Sequence, residues 1–226
     1  MNIVITGASG GIGKAAAERY LALGHRVHGI DILPPPFERE GYFHHIADIA
    51  DPAALPEIAD VGVLFNNAGT QNGADDIETN LRGAINVTEK YMGDPALRSI
   101  LFNASASAVS GQEFPVYAAS KAGLLGYMKN TAIRVAPRGV TCNAISLGGV
   151  HTPLNDPVTN DPELWRRIMD VTPMKKWMTA DEAADWILFL TLTNRSMSGQ
   201  NLLIDNGEYD LRSTFVWPDD PASAAQ

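Results

Sequence analysis

Residues 2–13 read NIVITGASGGIG, and this stretch decides the fold. Asn2 to Thr6 is a short apolar run rich in β-branched residues, which predicts a buried strand. Glycines end it, and residues 12–23 (IGKAAAERYLAL) follow with helical spacing and Gly24 at the expected C-cap. Gly7 permits a tight turn. Gly11 and Gly13 remove side chains where a backbone must approach a pyrophosphate or pack on a sheet. A helix starting near Ile12 aims its free N–H groups and positive dipole end at the same place.

Outward from this turn the pattern alternates. Further strands are expected at 26–31, 43–47, 61–66, 99–104, 140–145 and 201–205, and helices at 75–92, 116–136 and 180–193. Pro34-Pro35-Pro36 makes the stretch from Leu33 to Gly41 a loop rather than a helix. Strands alternating with helices predict an α/β, doubly wound parallel sheet. A length of 226 residues suits one domain, expected over 1–212 with a C-terminal tail at 213–226.

Asp31 closes the second strand about 20 residues beyond the glycines, where a ribose-binding carboxylate belongs. It accepts both adenosine-ribose hydroxyls of NAD and repels the 2′-phosphate of NADP. Gly10 and Ile32 offer no cation that would welcome that phosphate.

Charge and composition narrow the function classes. With 17 Lys and Arg against 26 Asp and Glu, the net charge is −9, so nucleic acid is not an expected partner. No apolar run is long enough for a bilayer, and the N-terminus does not read as a signal peptide. The single cysteine, Cys142, has no internal disulfide partner, which fits a cytoplasmic setting. His44 and His45 are adjacent on a strand and point to opposite faces, so no metal site is expected there.

Several further motifs occur in order, and together they resemble the short-chain dehydrogenases/reductases in their single-domain, Rossmann-fold form. They are TGASGGIG at 6–13, Ala47-Asp48-Ile49, Asn66-Asn67-Ala68-Gly69, Asn80 in ETNLRG, Tyr117-Ala118-Ala119-Ser120-Lys121 and NAISLGGVHTP at 143–153. Ser198-Gly199 and Asp205-Asn206-Gly207 complete the set. The resemblance implies an NAD-dependent oxidoreductase acting on a secondary alcohol/ketone pair. Its cofactor contacts would come from Gly7, Ser9, Gly11, Ile12, Gly13, Asp31 and Ile32. Asp48 and Ile49 would hold adenine, Asn67, Ala68 and Gly69 the adenosine ribose, and Val150 and Thr152 the carboxamide.

The resemblance also implies the chemistry. Tyr117 and Lys121 are one helical turn apart and share a face. Tyr117 would be the general acid or base, Lys121 would hold the nicotinamide ribose and, with the positive oxidised nicotinamide, lower the tyrosine pKa, and Asn80 would hold a water beside Lys121. At the family's usual serine spacing stands Ala104. Aligning the strand end FNAS selects Ser105, with Ser107 second and Ser110 third. Other departures are Leu147 in place of a proline, and only ten residues between Gly69 and Asn80.

Residues 151–178 are expected to form a substrate lid. Leu154, Trp165, Ile168, Met169, Met174 and Trp177 either face a hydrophobic or alicyclic substrate or simply pack the lid down. Small residues at Ala118, Ala122, Gly123 and Gly126 suit the helix contact of a homodimer or homotetramer, with Phe215 and Trp217 covering a neighbouring subunit. Two other readings of the same framework are an isomerase or dehydratase, and a nucleotide-binding regulator without turnover.

Overall fold

The computed structural model describes residues 1–209 and 211. The expected tail, including Phe215 and Trp217, lies outside them. Seven strands form one parallel sheet: β1 (Asn2–Thr6), β2 (Arg26–Asp31), β3 (Tyr42–Ile46), β4 (Val61–Asn66), β5 (Ser99–Asn103), β6 (Thr141–Leu147) and β9 (Asn201–Ile204). Their spatial order is β3-β2-β1-β4-β5-β6-β9. This is the doubly wound Rossmann sheet, and the strand order reverses between β1 and β4. At such a switch point the connecting segments diverge and leave a crevice beyond the carboxyl ends of the strands.

The sheet separates two apolar layers. Val4, Leu64, Ile100 and Phe102 pack towards α2 (Ala84–Tyr91) and α4 (Pro115–Val135). Ile3, Ile5, Phe65 and Ile145 pack towards α1 (Gly11–Ala22) and α7 (Ala180–Leu188). All of β4 and β6 is buried, because helices cover both faces of these central strands. Tyr20 on α1 is wholly buried, and its hydroxyl lies 2.6 Å from that of Thr191.

The expected elements shift at their ends, and two helices change character. The helix expected over 75–92 begins as a π-helical turn, Ile77–Gly83, before α2. The one expected over 180–193 ends in another, Phe189–Thr193. Hydrophobic spacing does not separate an α turn from a π turn. The Pro-rich segment after β2 is a loop as expected, and residues 47–60 between β3 and β4 also lack a helix. The segment expected as a lid comprises short helices α5 (Asp156–Thr159) and α6 (Pro162–Val171), between the paired strands β7 (Val150–His151) and β8 (Met178–Thr179).

The first turn has no room for a side chain at Gly7 or Gly13. Gly7 adopts φ +67°, and a Cβ at Gly13 would collide with the Gly7 carbonyl oxygen. Gly13→Ala is expected to cost about 1–3 kcal/mol of stability through overpacking. Urea denaturation checks this, and an unchanged midpoint would contradict the packing described.

Candidate active site

A cleft of about 370 Å³ opens beyond the carboxyl ends of the central strands. Ile12 of the glycine turn, Ser105, Tyr117, Lys121, Val150 and Thr152 all line it. Pro115 opens α4 after the extended Phe114, so Tyr117 and Lys121 fall in its first two turns. Lys121 is 4% exposed, and its Nζ donates to the Asn103 carbonyl at 2.9 Å. The same Nζ lies 5.7 Å from the centre of the Tyr117 ring.

The protein's own groups raise Tyr117 rather than lower it. Burial pushes the phenol up to about 12, against a lowering hydrogen bond with Ser105, while Glu113 and Asp76 raise it further. Burial also brings Lys121 down to about 8, opposed by Asp76. Two poorly solvated groups therefore face each other, and the ammonium is itself weakened.

The serines separate by position. Ser105 and Ser107 are both buried, and Ser107 donates its hydroxyl to Ser105 Oγ at 3.0 Å. Ser105 lines the cleft and interacts with Tyr117. Ser110 is exposed and accepts from Gln112 N–H at 3.2 Å.

The glycine turn is tied to the neighbouring strands. Asn67 Nδ2 donates to the carbonyls of Thr6 and Gly7 at 3.1 and 3.0 Å. Thr6 Oγ1 accepts the N–H groups of Asn67 and Ala68, each at 3.0 Å. Asp31 accepts from Ser9 N–H at 2.9 Å and from Leu33 N–H at 3.0 Å, so its carboxylate is fixed at the rim of the turn. Ile32 is 67% exposed beside it. A Cβ at Gly11 would lie 3.2 Å from Thr152 Cγ2, which brings the carboxamide stretch over the turn. Asp48 is exposed and accepts from Ala50 N–H, whereas the Ile49 side chain is core and packs on Gly83. Only the Ile49 backbone can serve a ligand.

Asn80 is fully buried in the π-helical turn. Its Oδ1 accepts from Thr70 N–H at 2.7 Å, and its Nδ2 donates to Thr70 O and Ser120 Oγ at 2.9 and 3.0 Å. A Cβ at Gly69 would lie 2.9 Å from Asn80 Oδ1 and 3.2 Å from Lys121 Nζ. Asn80 thus stands beside Lys121 behind Gly69, with its amide committed to protein partners.

Four residues were not singled out from the sequence. Asp76 is fully buried, accepts from Thr70 Oγ1 at 2.7 Å and leaves Oδ2 without a partner. The shortened 70–79 connection was the available signal for it. Glu113, Glu208 and Tyr209 line the cleft, with Tyr209 Oη donating to Glu113 at 3.0 Å. From the 151–178 segment, Leu154, Ile168 and Trp177 reach the cleft, while Met174 is 60% exposed. His44 and His45 bond to different partners, Leu33 O and His28. Among the described residues no group of three His, Cys, Asp or Glu could hold a metal, and no helix is long and apolar enough to cross a membrane.

Comparisons with known proteins place the chain by family and fold. The family profile described as enoyl-(acyl carrier protein) reductase matches residues 53–208. The 2-(R)-hydroxypropyl-CoM dehydrogenase of Xanthobacter autotrophicus is 29% identical, over 91% of this chain and 97% of its own. The 3-oxoacyl-(acyl-carrier-protein) reductase of Escherichia coli is 27% identical, over 91% and 96%. The crystal structure of a short-chain dehydrogenase/reductase family oxidoreductase from Burkholderia thailandensis is similar with a TM-score of 0.83, at 28% identity over 92% of each chain. The chain belongs to the short-chain dehydrogenase/reductase family of oxidoreductases.

Proposed function

We propose that this protein transfers a hydride between NAD(H) and a secondary alcohol/ketone pair, with Tyr117 as general acid in reduction and general base in oxidation. The observation that carries the reading is the shared cleft: Tyr117, Lys121 and Ser105 line it together with Ile12 of the glycine turn and Thr152. The family uses nicotinamide cofactors, and the residues present fit one. The turn has no space for a Cβ at Gly13, and the first turn of α1 has neither an acidic residue nor a side-chain cap. Its N–H groups are left for an anion.

When bound, the nicotinamide supplies the hydride chemistry. The protein's part is binding, orientation and the proton. The N–H groups around Gly11, Ile12 and Gly13, with Ser9, would hold the pyrophosphate. Asp31 would accept the adenosine-ribose hydroxyls on its remaining lone pairs, with Ile32 against the adenine. Gly7, Asp48, the Ile49 backbone, Asn67, Ala68 and Gly69 would complete the adenosine side, and Val150 and Thr152 the carboxamide side. Lys121 would hold the other ribose.

In ketone reduction Tyr117 Oη donates its proton to the carbonyl oxygen. Its high pKa suits it to remain protonated until the alkoxide develops. Ser105 Oγ donates a hydrogen bond to the same oxygen and stabilises the developing charge. Asn80 would steady the Thr70 backbone and the Ser120 hydroxyl around Lys121, and could hold a water only on the remaining lone pair of Oδ1. Ala122 and Gly126 are exposed on α4 and would allow the close helix contact of a homodimer or homotetramer.

Two outcomes check this reading. Tyr117→Phe is expected to lower kcat/KM with NADH and a ketone panel by at least about 100-fold, with NADH affinity retained. Substantial residual turnover would remove Tyr117 from the mechanism. The wild-type protein is expected to use NAD+ at least about tenfold better than NADP+, because Asp31 repels a 2′-phosphate. A preference for NADP+ in initial-rate assays would overturn the role given to Asp31.

A further inference from the structure

We propose that Glu113 and Glu208 make this cleft selective for a secondary alcohol or ketone that also carries an ammonium group. The inference rests on the oxidoreductase reading above and names the substrate class for it. Both carboxylates line the cleft that contains Tyr117. Each is held by a neutral donor: Tyr209 Oη to Glu113 Oε1 at 3.0 Å, and Trp177 Nε1 to Glu208 Oε2 at 3.2 Å. These bonds fix where the carboxylates sit without cancelling their charge.

The charge is not cancelled elsewhere among the described residues. Lys121 is the single cation lining the cleft, and its Nζ is turned to the Asn103 carbonyl. Cations of the neighbouring 151–178 segment are committed outside it. Arg166 pairs with Glu163 and Asp170, Lys176 with Glu182, and Lys175 donates to the Met169 and Asp170 carbonyls. Arg167 lines a separate groove on α6. Like charges thus share one partly desolvated mouth. Burial raises both carboxyl pKa values, and at Glu208 the charges of Asp205 and Glu113 raise it further.

A ligand cation relieves that repulsion, and a ligand anion adds to it. The residue that holds Glu208 is aromatic. Trp177 is 8% exposed, lines the cleft, and is backed edge-on by Trp165 at 5.2 Å between ring centres. A Cβ at Gly149 would collide with the Trp177 indole, so the ring is pressed against backbone and fixed. The gain for a ligand ammonium is thus the ion pairs with the two carboxylates.

The test uses three matched ketones: 4-(dimethylamino)cyclohexanone, 4-methylcyclohexanone and 4-oxocyclohexanecarboxylate. Their affinity for the NADH-saturated protein is measured by calorimetry, alongside turnover. The amine is expected to bind at least about tenfold more tightly than the neutral ketone, and the carboxylate most weakly. The preference should shrink with added salt. In Glu113→Gln/Glu208→Gln it should fall to about twofold or less, with NADH affinity unchanged as the check on folding. Each single variant should lose part of it. Equal or tighter binding of the neutral or anionic ketone to the wild type overturns the inference, as does a preference that survives the double substitution. Charge-selective binding without turnover of any of the three would count against the oxidoreductase reading and leave the charge assignment standing.

Discussion

The side chain of Asn67 holds the cofactor turn and the candidate catalytic helix in one frame. Its Nδ2 is shared by the carbonyls of Thr6 and Gly7, and its Oδ1 accepts Asn103 Nδ2 at 2.9 Å. The Asn103 carbonyl in turn receives Lys121 Nζ. The ends of β1, β4 and β5 are thereby fixed at one level, and α4 is registered against them. Each such bond contributes only about 1 kcal/mol net, but an unmade partner in this part-buried place costs more. The geometry is consequently rigid where a hydride path of fixed length would be needed.

The same frame sets the cost at Lys121. Burying an ammonium is unfavourable unless its donors and charge are answered. Here the answers are one backbone carbonyl and the field of Asp76, whose second oxygen has no protein partner. A weakened lysine beside a raised tyrosine in a cleft marks a candidate functional site. The chain around them is short. It omits helices after β2 and β3 and trims the run from Gly69 to Asn80, which leaves Asp76 inside the protein rather than on its surface.

Much of this was legible in the residues. The strand–glycine–helix start, Asp31 at the end of β2 and the Tyr117–Lys121 spacing are local patterns, and local patterns survive folding. The Pro-rich loop was equally plain, because proline removes a donor and fixes φ. Tertiary questions were not legible. Ser105 and Ser107 differ in sequence by two positions, yet only Ser105 lines the cleft. Glu208 and Tyr209 reach the site from beyond β9, and Glu113 from a loop with positive φ, so no spacing links them to Tyr117. Burial, a property of the whole fold, raises Tyr117 in the protein itself, and no spacing in the sequence reports it.

The most direct test of the central claim is isotopic. NADH deuterated at the transferable C4 position is supplied with a ketone, and the alcohol product is read by mass spectrometry. The account predicts one deuterium per product molecule, bound at the carbinol carbon, and none without the protein. NADH binding with no deuterium transferred to any ketone, including the amine-bearing one, would contradict it.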